Sequence, residues 1–215
     1  MRRKSARLGL LLLALCAPGA SLPGHAADLP GDFERGKIRS RAEQCQECHG
    51  EAGLGTAEHY PKLAGQWPAY IRKQLDDFQS GARKNEFMTA MAAAVSKQDI
   101  ADIAAYFSGS PHWGGEGRNF SATGRTLFLD GDSARGLTAC ASCHGDTGGG
   151  NAEAASPVPA LAGQTESYLA NQLHAWKVGD RRNSPGDVMN EIAQKLTEAE
   201  IDDLAKYLSG PAAMK

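Results

Sequence analysis

The sequence has few features that could build a β-sheet, a large aromatic core or a membrane span. Aromatic residues make up 7% of the 215 residues, and no sustained alternation of β-branched residues predicts a strand. The one long apolar run, "LGLLLLALCA" near the N-terminus, is shorter than the roughly 20 residues that a transmembrane helix needs. These absences favour an all-α fold whose small cores are completed by something other than side chains.

The first 26 residues differ in pattern from the rest of the chain. Basic "MRRKSAR" precedes the apolar run, and the small, helix-breaking "PGASLPGHA" follows it, which is typical of a secretory signal cleaved after Ala26. An uncleaved membrane anchor is the alternative. A lipid anchor on Cys16 is disfavoured, because Leu15 stands where a small residue is needed. We therefore predict that residues 1–26 are a signal peptide and that the protein is exported.

Charge excludes some classes of partner. The chain has 23 basic and 25 acidic residues, and four basic residues lie in the predicted signal: Arg2, Arg3, Lys4 and Arg7. Their removal would leave 19 basic residues against 25 acidic ones, a formal net charge of −6. Such a chain is not expected to bind nucleic acid or an anionic membrane by charge, so we expect at most a peripheral association with membranes.

Cysteine is scarce, and its placement is informative. Apart from Cys16, the cysteines form two C-x-x-C-H motifs, "CQECH" at 45–49 and "CASCH" at 140–144. This spacing is a signature of covalent c-type haem attachment, in which the adjacent histidine ligates the iron. We therefore predict two covalently bound haem c groups. The residues that would hold them are Cys45, Cys48, His49, Cys140, Cys143 and His144.

Other uses of paired cysteines fit this pattern less well. A zinc site usually has its cysteine pairs about 15–20 residues apart, whereas these motifs begin at positions 45 and 140. A thioredoxin-like redox pair lies in a βαβ unit, and no strand is predicted in this sequence. Structural disulfides are compatible with export, but they leave both histidines unexplained. Disulfides are the alternative that stays open at this point.

The chain repeats itself beyond the motifs. "YPKLAGQWPAYIRKQLDDFQSGARKN" at 60–85 matches "VPALAGQTESYLANQLHAWKVGDRRN" at 158–183, and "MTAMAAAVSKQDIADIAAYFSG" at 88–109 matches "MNEIAQKLTEAEIDDLAKYLSG" at 189–210. The second copy has two short insertions, one before the second segment "VPALAGQ" and one around "SPGD". The repeat predicts two homologous tandem domains.

The domain boundaries follow from the repeat and from a glycine-rich stretch between the copies, "SPHWGGEGRNF". We predict a first domain over 27–112, a linker over 113–120 and a second domain over 121–215.

Both copies are predicted to be helical. Ile71, Leu75 and Phe78 recur at helical spacing, and Gly81 is expected to end that helix. Two capping-box patterns predict the start of the last helix in each copy: Ser96 with Asp99, and Thr197 with Glu200.

Each predicted haem iron needs a second axial ligand. Met88 and Met189 occupy aligned positions, and a thioether there would close the site and raise the reduction potential. Core packing, the usual task of methionine, is the alternative. Met91 aligns with Ile192 and is therefore expected to pack rather than ligate. The remaining mature-chain histidines have no aligned partner and are expected on the surface: His59, His112 and His174.

The ligand histidines also need a partner for their second ring nitrogen. In metal sites this partner is usually a carbonyl or a carboxylate. The two "P-x-L-A-G-Q" segments, which start at Pro61 and Pro159, are candidates to supply a carbonyl, with Leu63 and Leu161 packing on the ring. A plain loop turn is the alternative.

The chain resembles class I cytochromes c in four features taken together. These are the two C-x-x-C-H motifs, the "LAGQ" segments, the helices that contain "QL", and the methionines before "AAAVS" and "AQKLT". From about residue 31 to residue 210 the chain is similar to a diheme cytochrome c of the cytochrome c4 family. The resemblance implies two tandem class I cytochrome c domains, related by a pseudo-twofold axis, with haem propionates near their interface. It implies His49 and His144 as proximal ligands, and Met88 and Met189 as distal ones. The "SPGD" insertion departs from the family pattern.

The same resemblance implies a function. Members are periplasmic electron carriers, not enzymes, that shuttle electrons between respiratory partners such as a bc1 complex and a terminal oxidase or reductase. The alternative is the cytochrome subunit of a dehydrogenase, for example a flavocytochrome sulfide dehydrogenase. A peroxidase or gas sensor is less favoured, because methionine on both irons leaves no open position.

Overall fold

The computed structural model of the protein describes residues 29–112 and 121–210. Within these two ranges the chain forms ten α-helices and two short 3-10 turns, and the only β-type pairing is two isolated bridges. The predicted all-α fold is confirmed. The predicted signal peptide and linker lie outside the described residues.

Each half contributes five helices in the same order. In the first half these are α1 (Phe33–Ala42), α2 (Cys45–His49), α3 (Pro68–Ser80), α4 (Glu86–Ala93) and α5 (Lys97–Gly109). In the second half they are α6 (Ala122–Leu129), α7 (Ala141–His144), α8 (Glu166–Val178), α9 (Val188–Gln194) and α10 (Glu198–Ser209). The 3-10 turns, Ser133–Arg135 and Pro185–Asp187, are found in the second half. The longest helices have 13 residues, so none in the described ranges could cross a bilayer.

The helix ends follow the predicted signals. Gly81 ends α3 in the left-handed conformation with φ of 79°. Ser96 accepts a hydrogen bond from the backbone N–H of Asp99 at the start of α5. Thr197 and Glu200 form the complete reciprocal capping box at the start of α10. Local side-chain chemistry therefore sets these three boundaries.

In each half, the first and last helices cross with their backbones in contact. A Cβ atom on Gly36 of α1 would lie 1.9 Å from the carbonyl oxygen of Asp102, and one on Gly124 of α6 would lie 2.1 Å from that of Asp203. No side chain fits at either crossing. These two glycines thus fix how closely α1 packs on α5, and α6 on α10.

Each half has its own small hydrophobic core, and each core reaches its cysteine motif. Cys45, Leu63 and Leu75 pack at the edge of the first core, and Cys140 and Leu161 at the edge of the second. The first core is built from Ile71, Val95, Ile100, Ile103, Ala104, Tyr106 and Phe107. A flat apolar group bound at the motif would extend each core.

The two halves meet through reciprocal contacts of the two "LAGQ" glutamines. Gln66 donates to the carbonyl of Ala160 and accepts from its N–H, both at 3.0 Å. Gln164 makes the same pair of bonds with Lys62, at 2.9 and 2.8 Å. Both glutamines are 4% exposed. Because Lys62 and Ala160 occupy aligned positions, the two contacts are related by a pseudo-twofold axis.

Candidate haem sites

Each motif ends in a buried histidine that is held by a proline carbonyl. His49 closes α2 with 7% exposure, and its Nδ1 lies 2.9 Å from the carbonyl oxygen of Pro61. His144 closes α7 with 8% exposure, and its Nδ1 lies 3.0 Å from that of Pro159. The expectation that the two proline segments supply these carbonyls is confirmed.

Burial fixes the charge of both rings, and the contact with the proline carbonyl fixes their tautomer. Burial lowers the pKa of His49 and of His144, and the proline carbonyl offsets this only in part. Both imidazoles are therefore neutral at neutral pH. A carbonyl oxygen can only accept, so Nδ1 carries the hydrogen and donates it. The Nε2 lone pair is left to bind a metal.

Glycines after each motif bring the proline segment to the histidine. The carbonyl of Gly53 accepts hydrogen bonds from Leu63 at 2.7 Å and Ala64 at 3.0 Å. A Cβ on Gly53, whose φ is 82°, would lie 2.7 Å from the backbone nitrogen of Ala64. In the second half Gly148 accepts in the same way from the N–H of Leu161 at 2.7 Å. The loop thus folds back on "P-x-L-A-G-Q", which places the proline carbonyl within hydrogen-bond distance of the imidazole Nδ1.

All four motif cysteines in the described ranges are free thiols. Cys45 and Cys140 are half-buried, and burial raises the pKa of each to about 11, so both are neutral thiols. Cys143 is exposed, whereas Cys48 is half-buried. The disulfide alternative thus finds no support in this geometry.

The described residues give no support to the zinc alternative either. Across residues 29–112 and 121–210, no group of three His, Cys, Asp or Glu side chains is arranged to hold a metal ion. Each half instead offers one neutral imidazole beside two thiols, at the edge of an apolar core. This set of groups fits covalent attachment of a haem and ligation of its iron.

The two candidate methionines lie in equivalent helices. Met88 lies in the first turn of α4 and donates its N–H to Asn85 Oδ1 at 3.0 Å. Met189 lies in the first turn of α9 and donates its N–H to Ser184 Oγ at 3.2 Å. Both side chains are half-buried.

The expectation for Met91 was wrong in part. Ile192 packs against the second core, as an ordinary apolar position should. Met91, which aligns with it, is instead 37% exposed. Phe87, one turn earlier on α4, is also exposed, at 78%.

The remaining histidines of the described ranges make peripheral contacts. His174 is partly exposed and its Nδ1 lies 2.9 Å from Glu198 Oε2. His59 packs on the ring of Tyr60 with centroids 4.0 Å apart, and His112 is exposed. These contacts leave His49 and His144 as the pair related by the repeat.

A partly buried polar network across the interface was missed by sequence reasoning. Arg83 donates to Tyr168 Oη at 3.1 Å and to Gln172 Oε1 at 2.7 Å. In the reciprocal contact, Arg181 donates to Tyr70 Oη and to Gln74 Oε1, both at 3.1 Å. One signal could have found this network, because the same residue types recur at aligned positions. The pairs are Tyr70 with Tyr168, Gln74 with Gln172 and Arg83 with Arg181.

The network carries excess positive charge. Arg181 is 7% exposed, and neither it nor Arg83 forms an ion pair with a carboxylate of the described ranges. The nearby carboxylate of Asp77 pairs with Lys73 instead. Burial raises the pKa of Tyr168, but the two guanidinium charges outweigh burial and lower it below its usual value. The interface is therefore suited to anionic groups.

A cytochrome c family profile matches the chain twice, over residues 33–110 and 121–210. The chain is 39% identical over 204 residues to cytochrome c4 of Pseudomonas aeruginosa, which covers 94% of this chain and 98% of that protein. It is 38% identical over 194 residues to a thiosulfate dehydrogenase electron acceptor of Stutzerimonas stutzeri, and the alignment covers 88% of this chain and 88% of that protein.

Two solved structures are similar along most of this chain. Reduced cytochrome c4 from Pseudomonas stutzeri superposes with a TM-score of 0.76 at 35% identity, covering 84% of this chain and 99% of that chain. A thiosulfate dehydrogenase from Marichromatium purpuratum superposes with a TM-score of 0.74 at 36% identity, covering 83% of this chain but 40% of that chain.

Proposed function

Because this chain belongs to the cytochrome c family, as a diheme electron-transfer cytochrome of the cytochrome c4 group with two covalent haem c, we propose which of its residues hold the two haems. Cys45 and Cys48 would attach the first haem, and Cys140 and Cys143 the second. His49 and His144 would ligate the irons through Nε2, with Met88 and Met189 on the opposite faces. When bound, each haem supplies a one-electron iron couple.

The observation that carries this proposal is the state of the two histidines. Each ring is neutral, and each donates Nδ1–H to a proline carbonyl, so its Nε2 is ready to bind iron. A carbonyl partner also raises the basicity of the ligand nitrogen. Equivalent rings in both halves favour two sites of the same ligand class.

The interface network supports a further assignment. We assign Arg83 and Arg181 to the haem propionates, which the family resemblance brings to this interface. Two guanidinium groups, buried Arg181 and half-buried Arg83, lack a carboxylate partner in the described ranges, and such anions would offset their charge. The network would then connect both haems to the contact between the halves.

For the domains, we propose the boundaries 27–112, 113–120 and 121–215. The two family-profile matches, 33–110 and 121–210, fall within the first and last of these ranges. We also propose a periplasmic location, on the basis of the signal-like pattern over residues 1–26 and the family membership.

The protein works with redox protein partners, and we propose that it shuttles electrons from a respiratory complex such as a bc1 complex to a terminal oxidase or reductase. Methionine on both irons would leave no position for O₂ or peroxide, which favours outer-sphere transfer over catalysis.

A second candidate is electron acceptor for a dehydrogenase. It is favoured by the similarity to a thiosulfate dehydrogenase electron acceptor and to part of a solved thiosulfate dehydrogenase. Stopped-flow reduction of the oxidised holoprotein separates the two candidates. The donors to compare are a bc1 complex with quinol and a thiosulfate dehydrogenase with thiosulfate. Fast reduction by the dehydrogenase alone would favour the second candidate.

The ligand set is tested by spectroscopic redox titration with haem quantification. We expect two one-electron transitions and a methionine–iron charge-transfer band in the oxidised protein. Carbon monoxide binding to the reduced, undenatured protein would contradict methionine ligation and favour a peroxidase or sensor.

A further inference from the structure

The helices that carry the two candidate methionine ligands are held differently. The residue after Met189 is Asn190, which is 2% exposed. The residue after Met88 is Thr89, which occupies the aligned position and is exposed. The repeat therefore breaks down at the position next to the ligand.

Asn190 connects the first turn of α9 to two buried backbone carbonyls. Its Nδ2 donates to the carbonyl of Trp176 at 2.6 Å and to that of Arg181 at 2.9 Å. Trp176 and Arg181 are themselves 5% and 7% exposed. One carbonyl belongs to the last turns of α8 and the other to the loop after it, so the amide joins three segments beside Met189.

Among the described residues, Thr89 does not tie the corresponding turn of α4 to another segment: its Oγ1 only accepts the backbone N–H of Asn85, at 3.4 Å, within the same turn. Met88 has exposed residues on both sides, Phe87 and Thr89, and its N–H is capped by the exposed Asn85. The side-chain anchor of α4 is Gln79, which donates to the carbonyls of Ala92 at 2.8 Å and Val95 at 2.7 Å. Both carbonyls lie at or beyond the far end of the helix, about one turn or more after Met88.

Packing alone would not favour an asparagine at position 190. Asn190 Oδ1 is buried and has no hydrogen-bond partner among the described residues. A buried acceptor without a donor destabilises a fold, so an apolar side chain would serve packing better. The two bonds made by Nδ2 are what the asparagine adds at this position.

We propose that Asn190 is a positioning residue for the second haem, which holds Met189 on its iron by tying α9 to the end of α8. The proposal rests on the ligand set given above. It predicts that the bond between Met189 and its iron depends on the Asn190 amide, whereas the bond between Met88 and its iron does not depend on Thr89.

The experiment uses the full-length oxidised holoprotein and imidazole, which binds ferric iron when a methionine leaves. The shifted ε-methyl proton resonance of each ligated methionine is followed by NMR, and its origin is assigned with Met88→Ala and Met189→Ala. In Asn190→Ala we expect imidazole to bind the second iron about tenfold more tightly, the effect of losing roughly one net hydrogen bond. The first iron of the same molecule should change by less than about twofold.

Thr89→Ala is the matched control, and it should leave both imidazole affinities unchanged. Asn190→Thr, which places the first half's residue in the second half, should act in the same direction as the alanine variant and covers the case in which alanine prevents folding.

Two results would overturn the inference alone: unchanged imidazole binding at the second iron, or an equal shift at both irons, which would indicate general destabilisation. If Met189→Ala removes no resonance from the wild-type spectrum, the ligand set fails and the inference fails with it.

Discussion

The Nδ1 atom of His49 lies 2.9 Å from the carbonyl oxygen of Pro61, and the two residues are twelve positions apart in a loop rich in glycine. The second half reproduces this relationship between His144 and Pro159 at 3.0 Å. A histidine so held has one possible tautomer, and its free nitrogen faces away from the carbonyl. The same chemistry has therefore been kept in both copies, although the second loop contains an insertion.

Met88, not Met91, is expected to ligate the first iron. Met88→Ala should abolish one methionine–iron charge-transfer band and lower the reduction potential of one haem, because the thioether is lost. Met91→Leu should leave the spectrum unchanged, with a stability loss under about 0.5 kcal/mol, because Met91 is partly exposed. Absorption spectra measure the charge-transfer band, and potentiometry measures the reduction potentials. Loss of the band in Met91→Leu and its retention in Met88→Ala would show that the repeat alignment misassigns the ligand.

Arg83 and Arg181 should raise the potentials of both haems. Replacing either by Gln removes positive charge from the interface, which stabilises the ferric state, so both potentials should fall by an amount on the order of tens of millivolts. Lys84→Gln removes an exposed charge one residue from Arg83 and serves as the control. A fall in Lys84→Gln as large as in Arg83→Gln would assign the effect to general charge rather than to the buried network.

Acid should weaken the packing of α1 on α5. A hydrogen bond from Arg35 is the largest cause that lowers the pKa of the buried Asp102 carboxyl below its ordinary value of 3.8, against the effect of burial. A depressed pKa contributes stability above the ordinary value, and this contribution is lost as pH falls through the folded value. Denaturant unfolding of the wild type and of Asp102→Asn should therefore converge below about pH 4. A constant difference at all pH values would contradict this linkage.

Electron transfer with a basic partner should slow as salt rises. Residues 121–210 hold 7 basic and 12 acidic side chains, whereas residues 29–112 hold 10 and 11, so the second half carries most of the negative charge. Salt screens the attraction between these acidic side chains and a basic partner over about 8 Å at physiological ionic strength. Stopped-flow rates at several salt concentrations measure the effect. Rates that rise with salt, or do not respond to it, would rule out steering by this charge.

Much of the fold could be predicted because its signals are local. Capping by Ser96 and Thr197, the end of α3 at Gly81 and the proline carbonyls all depend on residues within about 15 positions of one another. The C-x-x-C-H spacing is equally local, and it led directly to the histidines.

The features that were missed depend on contacts between residues that lie far apart in the sequence. The crossing at Gly36 requires knowledge that α1 meets the backbone of Asp102, and no periodic pattern gives that pairing. The interface arginines look like ordinary surface charges until Arg83 is placed beside Tyr168 of the other half. Met91 was misplaced because alignment with Ile192, which packs against the second core, does not fix the exposure of its side chain.

The central claim is that each half holds its own covalent haem, and haem counting tests it most directly. The measurement is haem per polypeptide, by absorption after denaturation and by haem staining of a denaturing gel. The wild type should give two haems, and Cys45→Ala with Cys48→Ala should give one, because the second motif lies in a half with a separate core. A single haem in the wild type, or none in the double variant, would contradict the account.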